Sequence, residues 1–147
     1  MTEHPQLPPQ AHPQPGPQQP PSGMPPGYAP QPMTPTEERN LGMVAHLVPA
    51  ILLPLSAGTL GFVGSLVIYL MYKDRGPFVR QHAANSLNVQ IITGVILLIC
   101  TPFVWIVIGI VPYAIAIIVA TVIHLLGAVK ANNGEWWTPP LTPQIVR

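Results

Sequence analysis

Charge is what this 147-residue sequence has least of: only 7% of its side chains are Asp, Glu, Lys or Arg. Soluble domains carry about a quarter. None of the four occurs from Asn40 to Tyr72 or from Gln81 to Val129, so water-facing helices cannot be built from those stretches. The six basic residues are scattered and the net charge is only +1, which excludes a basic face for nucleic acid. Cysteine occurs once, as Cys100 within Ile96-Leu97-Leu98-Ile99-Cys100. It excludes an intramolecular disulfide and reads as an inert buried thiol. The first thirty residues lack both a basic start and an apolar run, so no cleavable secretory signal is expected.

What is present is apolar: 48% of the residues, with a mean hydropathy of +0.39. The expected fold is an all-α, multi-pass transmembrane helical bundle, residues 36–141, behind a disordered tail, residues 1–35, and before a short tail, residues 142–147. Residues 1–35 hold thirteen of the twenty-one prolines, six glutamines and one charge, Glu3. Such a segment stays extended and solvated. Its Pro5-Gln6-Leu7-Pro8 and Pro17-Gln18-Gln19-Pro20 fit the PxxP pattern of groove-binding ligands, as any chain this rich in proline would.

Thr34-Pro35-Thr36-Glu37 carries a helix cap, a first-turn proline and the carboxylate of a capping box. Four helices follow in expectation, over 36–55, 59–73, 77–101 and 104–131, with a turn at Thr101-Pro102. The first is roughly 30 Å long at 1.5 Å per residue, about one hydrocarbon core. Pro49, Pro54 and Pro112 should bend or end their helices. The second segment is short for a span, so the first two helices either cross or form a re-entrant hairpin. Four spans put Arg39, Lys73, Arg75, Arg80, Lys130 and Arg147 on one side, as the positive-inside rule favours. Three spans would leave Arg39 outside. Both termini are therefore expected in the cytoplasm, in the plasma membrane. Trp136 and Trp137 are placed to anchor the carboxyl end at headgroup level.

Small residues at four-residue spacing, Ala57, Gly61 and Ser65 on helix two and Ala116, Ala120 and Ala128 on helix four, let helices approach closely. They imply packing within the bundle, or with a second copy. His124 shares the latter stripe and should face another helix. Helix three is the most polar: Arg80, Gln81, His82, Asn85, Ser86, Asn88 and Gln90 crowd its first half. Gln81, Asn85 and Asn88 share one face, leaving Ala83, Ala84, Leu87 and Ile91 as a strip for lipid. Unpaired amides in hydrocarbon cost several kcal/mol, so these groups must bond across helices or line a wet groove for a substrate or partner.

His46, His82 and His124 raise the question of a metal. Counted along their helices, His46 and His124 lie deep and His82 near the surface, which separates them, and two imidazoles alone make a poor zinc site. No metal site, no cofactor site and no catalytic residue is expected: Asp74 and Glu135 fall in separate loops, and no serine or cysteine has a base beside it.

The runs Glu38-Arg39, Ala45-His46-Leu47, Lys73 to His82, Ser86-Leu87-Asn88-Val89-Gln90 and Asn133-Gly134-Glu135-Trp136 resemble the bacterial membrane family called domain of unknown function 4870. That family is similar to the Tic-twenty proteins of the chloroplast inner envelope, which act in preprotein import. The resemblance covers about Thr36 to Leu141 and is most specific from Lys73 to Gln90. The sequence departs from it at Val89, where an aromatic is usual, and at Thr138-Pro139-Pro140-Leu141. It implies a non-enzymatic subunit or scaffold of a membrane complex, with lipid and protein partners and a role in protein translocation. A small transporter or channel lined by His46, Asn85, Asn88, Gln90 and His124 is the alternative.

Overall fold

The computed structural model describes residues 33–147. The proline-rich tail and its PxxP runs lie outside the described residues. Four helices follow in order: α1 (Pro35–Leu55), α2 (Thr59–Tyr72), α3 (Pro77–Val104) and α4 (Ile110–Asn132), with no strand among the described residues.

Each boundary has a local cause. Thr34 accepts a hydrogen bond from the Glu37 N–H, and the Glu37 carboxylate accepts one from the Thr34 N–H at 2.7 Å, completing the capping box. The α1–α2 turn is tight: Ala57 (φ 50°) and Gly58 (φ 100°) both adopt the left-handed region, so Ala57 precedes α2 and does not belong to its small-residue stripe. α3 has no side-chain cap of its own. Glu38 of α1 supplies one, its carboxylate accepting from the N–H groups of Phe78 at 2.9 Å and Val79 at 3.3 Å.

The expected turn at Thr101-Pro102 belongs instead to the last turn of α3, and α4 begins at Ile110, six residues later than expected. A proline there forfeits only the bond its absent N–H would have made to Leu98. The reversal falls at residues 105–109, where Val107 takes φ 70° and the Gly109 N–H donates to Phe103 O at 2.8 Å. A β-carbon at Gly109 would lie 2.5 Å from the backbone of Phe103, so only glycine fits.

α3 and α4 are each long and apolar enough to cross a membrane. α2, at 14 residues, is about 21 Å long, less than a hydrocarbon core. The Glu38 cap puts the starts of α1 and α3 at one end, and a His82–Glu135 bond brings the end of α4 there. Arg39, Lys73, Arg75, Arg80 and Lys130 therefore share that end, the basic end. The α1–α2 turn lies towards the other, with Tyr113 Oη donating to Ala57 O at 2.7 Å.

Beyond α4 the chain does not trail away. Residues 135–147 run back along α3 and α4: His82 Nε2 donates to Glu135 O (3.0 Å), Asn85 Nδ2 to Trp137 O (2.6 Å) and Asn88 Nδ2 to Val146 O (2.9 Å), while Val146 N–H donates to Asn88 Oδ1 (2.7 Å). The segment from 142 onwards, expected as a short tail, is thus tied to α3 by hydrogen bonds at Val146 and Arg147 while most of its side chains stay exposed.

Candidate functional site: a buried polar core

The residues from His82 to Gln90 are buried without a break. Of the expected lipid strip, Ala83, Ala84 and Leu87 are at most 4% exposed and Ile91 is half-buried. Helices cover one side of this stretch and the carboxyl-terminal segment covers more, so of the expected strip only Ile91 keeps part of its surface. Of the polar residues singled out in the sequence, His46, His82, Asn85, Ser86, Asn88, Gln90 and His124 are buried, Gln81 is half-buried and Arg80 is exposed.

Proline explains one junction. Pro49 sits inside α1 and has no N–H, so the carbonyl four residues earlier, on Ala45, loses its helical partner. Ser86 Oγ donates to that carbonyl at 2.6 Å and accepts from Ser65 Oγ at 2.9 Å. Three helices meet at these atoms. Freed carbonyls in membrane helices are commonly met in this way by a neighbouring hydroxyl.

The second junction is built of imidazoles. The Gln90 amide N–H donates to His124 Nε2 at 2.9 Å, so the His124 proton sits on Nδ1. That proton is donated to His46 Nδ1 at 3.4 Å, which leaves the His46 proton on Nε2, a buried atom with no partner. His82 uses its Nε2–H on Glu135 O, and its buried Nδ1, then a bare lone pair, is also without a partner. The His46 and His82 rings stand edge to face with centroids 5.5 Å apart, and the ring of Trp137 lies 5.8 Å from that of His46.

All three histidines therefore share one neighbourhood, and the separation inferred from counting residues is corrected. The count took both helices to start at one level. Because Glu38 caps α3, the start of α3 lies one turn deeper than the start of α1, which offsets the comparison. Among the described residues no group of three or more His, Cys, Asp or Glu is arranged to hold a metal.

Close approach makes the core possible. A β-carbon at Gly127 would lie 2.6 Å from the His46 ring, and one at Gly61 2.8 Å from the Gln90 amide. Gly61, Ser65, Ala120 and Ala128 are buried and Ala116 is half-buried. Sequence reasoning missed the cap supplied by Glu38, the inward turn of Trp137, the close approach at Gly127 and the burial of Ala131. Ala131 continues the four-residue spacing of Gly127, and that is the signal that was available for both. Trp136, 62% exposed, packs edge-on to Phe78. Trp137, expected to anchor at headgroup level, is turned in towards His46.

At the basic end the charges pair sparingly: Lys73 with Asp74 at 2.7 Å and Lys130 with Glu135 at 2.6 Å. The Lys130 and Asn133 hydrogen bonds hold the Glu135 carboxyl below its usual value of 4.5. Arg80 Nη2 and Tyr69 Oη both donate to Arg147 O. Beside them a cavity of about 350 Å³ is lined by Arg80, Gln81, Asn85, Gln144 and Arg147 among others.

Long apolar helices with lipid-facing side chains at one end, closed round a hydrogen-bonded polar core at the other, define a helical integral membrane protein. Residues 37–146 match the model of the MamF/MmsF family, the magnetosome magnetite crystal formation protein family, and the chain belongs to it. This overturns the resemblance to domain of unknown function 4870 and the Tic-twenty proteins, and with it the translocation role drawn from that resemblance. No curated protein and no solved structure matches the chain at a significant level.

Proposed function

We propose that this protein is a non-enzymatic membrane component of the magnetosome that acts in magnetite crystal formation. The observation that carries the reading is the extent of the family match: residues 37–146 take in all four helices and nearly all of the returning segment. The bundle as a whole, not one helix, is therefore the unit the family shares. Its polar groups are largely engaged within the bundle, with one another or with main-chain atoms, which suits a structural core better than a reaction centre. The alternative, a solute pathway, loses two of its lining residues, because the amides of Asn85 and Asn88 are taken up by Trp137 O and by Val146.

The basic end faces the cytoplasm, on the positive-inside rule. α3 and α4 cross fully, and α1 and α2 cross as a shorter pair. Protein partners, or a second copy, meet the bundle through its helix faces.

The test is deletion of the gene in its magnetite-forming host, with crystal dimensions measured by electron microscopy. Crystals of altered size or number, restored by the full chain, are expected; crystals unchanged by the deletion would overturn the reading. Purified protein in proteoliposomes should conduct no ions. For topology, single cysteines at Asp74 and Thr59 in a Cys100→Ser background should differ, only the second reacting with an impermeant thiol reagent from outside.

A further inference from the structure

We infer that the carboxyl-terminal segment is a re-entrant hairpin that dips from the basic end into the hydrocarbon and back, its tip at Leu141 lying among acyl chains. This goes beyond the proposed role in crystal formation and does not rest on it.

Depth can be read from two helices independently. On α3 the segment starts at His82, through Glu135 O, and its other end returns to Asn88 and Arg80 through Val146 and Arg147. Between these ends Pro140, Leu141 and Thr142 line one small cavity together with Val89, Ile92, Thr93 and Ile96 of α3. From His82 to Val89 and Thr93 is seven and eleven residues, or about 10 and 16 Å of helix. On α4 the same cavity is lined by Ile123, Ala120 and Ala116. Measured from Lys130, whose charge marks the aqueous boundary, Ile123 is seven residues away and Ala116 fourteen, or about 10 and 21 Å. Both rulers place the tip at least about 10 Å inside the charged boundary.

The composition of the tip fits such a place. It carries no charge, and Leu141 is 94% exposed to whatever surrounds the bundle. Non-helical backbone at membrane depth must find partners in the protein or bring few polar groups with it. This segment does both. Pro139, Pro140 and Pro143 have no N–H, so from 139 to 143 only Leu141 and Thr142 bring one. Thr142 Oγ1 donates to Pro140 O, and Ile145 N–H to Pro143 O. The limbs are held by the Asn85 and Asn88 amides, Asn88 pairing with Val146 through both its donor and its acceptor, as a neighbouring backbone strand would.

The experiment uses the full chain, Cys100→Ser, in liposomes, with a nitroxide on a single cysteine at position 141, 130 or 122. Relaxation by oxygen, which concentrates in lipid, is compared with relaxation by a water-soluble nickel chelate. The label at 141 should match that at Val122, a lipid-facing residue of α4, with nickel access at least fivefold below that at 130. Nickel access at 141 equal to that at 130 would overturn the hairpin. In a second variant, Asn88→Ala should raise nickel access at 141 while α-helical circular dichroism stays unchanged. Unaltered access in that variant would overturn the clamp assigned to Asn88.

Discussion

The two halves of α3 invert the rule that governs soluble helices. Its first half carries His82, Asn85, Ser86, Asn88 and Gln90 and is buried throughout from 82 to 90; of Gly94 to Val104, the apolar half, only Leu97 is buried. Leu98 is 74% exposed. Water would drive the opposite arrangement. In lipid the apolar half is already among its own kind and gains nothing from burial, while the polar half must find hydrogen bonds inside the protein. Packing near the basic end is therefore specific and directional, and packing near the other end is not.

That contrast can be broken from the buried side first. Gly127→Val would drive a side chain into the His46 ring and is expected to cost about 3 kcal/mol, from overpacking together with the lost imidazole bonds. The check is thermal unfolding in detergent followed by circular dichroism. Ser86→Ala leaves Ala45 O without a donor and Ser65 without an acceptor, and should cost about 1–2 kcal/mol in the same measurement. Glu38→Ala removes the only side-chain cap on α3 and should cost about 1 kcal/mol, with faster amide hydrogen exchange confined to Phe78 and Val79. On the other side of the contrast, Leu98→Ala should change stability by less than about 0.5 kcal/mol; a loss comparable to that of Ser86→Ala would mean that the apolar half is packed after all.

The smallest effect is expected from pH. The Glu135 carboxyl has its folded pKa lowered, by Lys130 first and Asn133 second. The stabilisation from that pair is therefore complete above the unfolded value near 4.5 and is lost as pH falls below it through the folded value. Glu135→Gln should flatten the acid limb of the unfolding profile slightly and leave the neutral region unchanged.

Much of the fold was legible because it rests on local rules. The helix starts near Thr34 and Pro77, the punctuation at residues 56–59 and the charge gaps all act over a few residues. The turn before α4 was misplaced because Pro102 reads as a breaker, yet a proline in a last helical turn breaks almost nothing. The polar core was legible as a demand, since those side chains had to be satisfied somewhere, but not as a set of partners. Asn85, Asn88 and His82 are answered by main-chain atoms of Glu135, Trp137 and Val146, which carry no sequence identity. Likewise the shared neighbourhood of the three histidines depends on the offset set by Glu38, a contact across forty residues.

Pro49 has a mechanical consequence. A membrane helix held only by small residues and dispersion can ride along its neighbour by a turn when the bilayer thins or thickens. The missing proton on Pro49 cuts a notch into α1 at Ala45 O, and Ser86 is the pawl that sits in it. Sliding by one turn would bring Gln90 or His82 to the notch, each already engaged elsewhere. A change in bilayer thickness must then be met by tilting the bundle as one body.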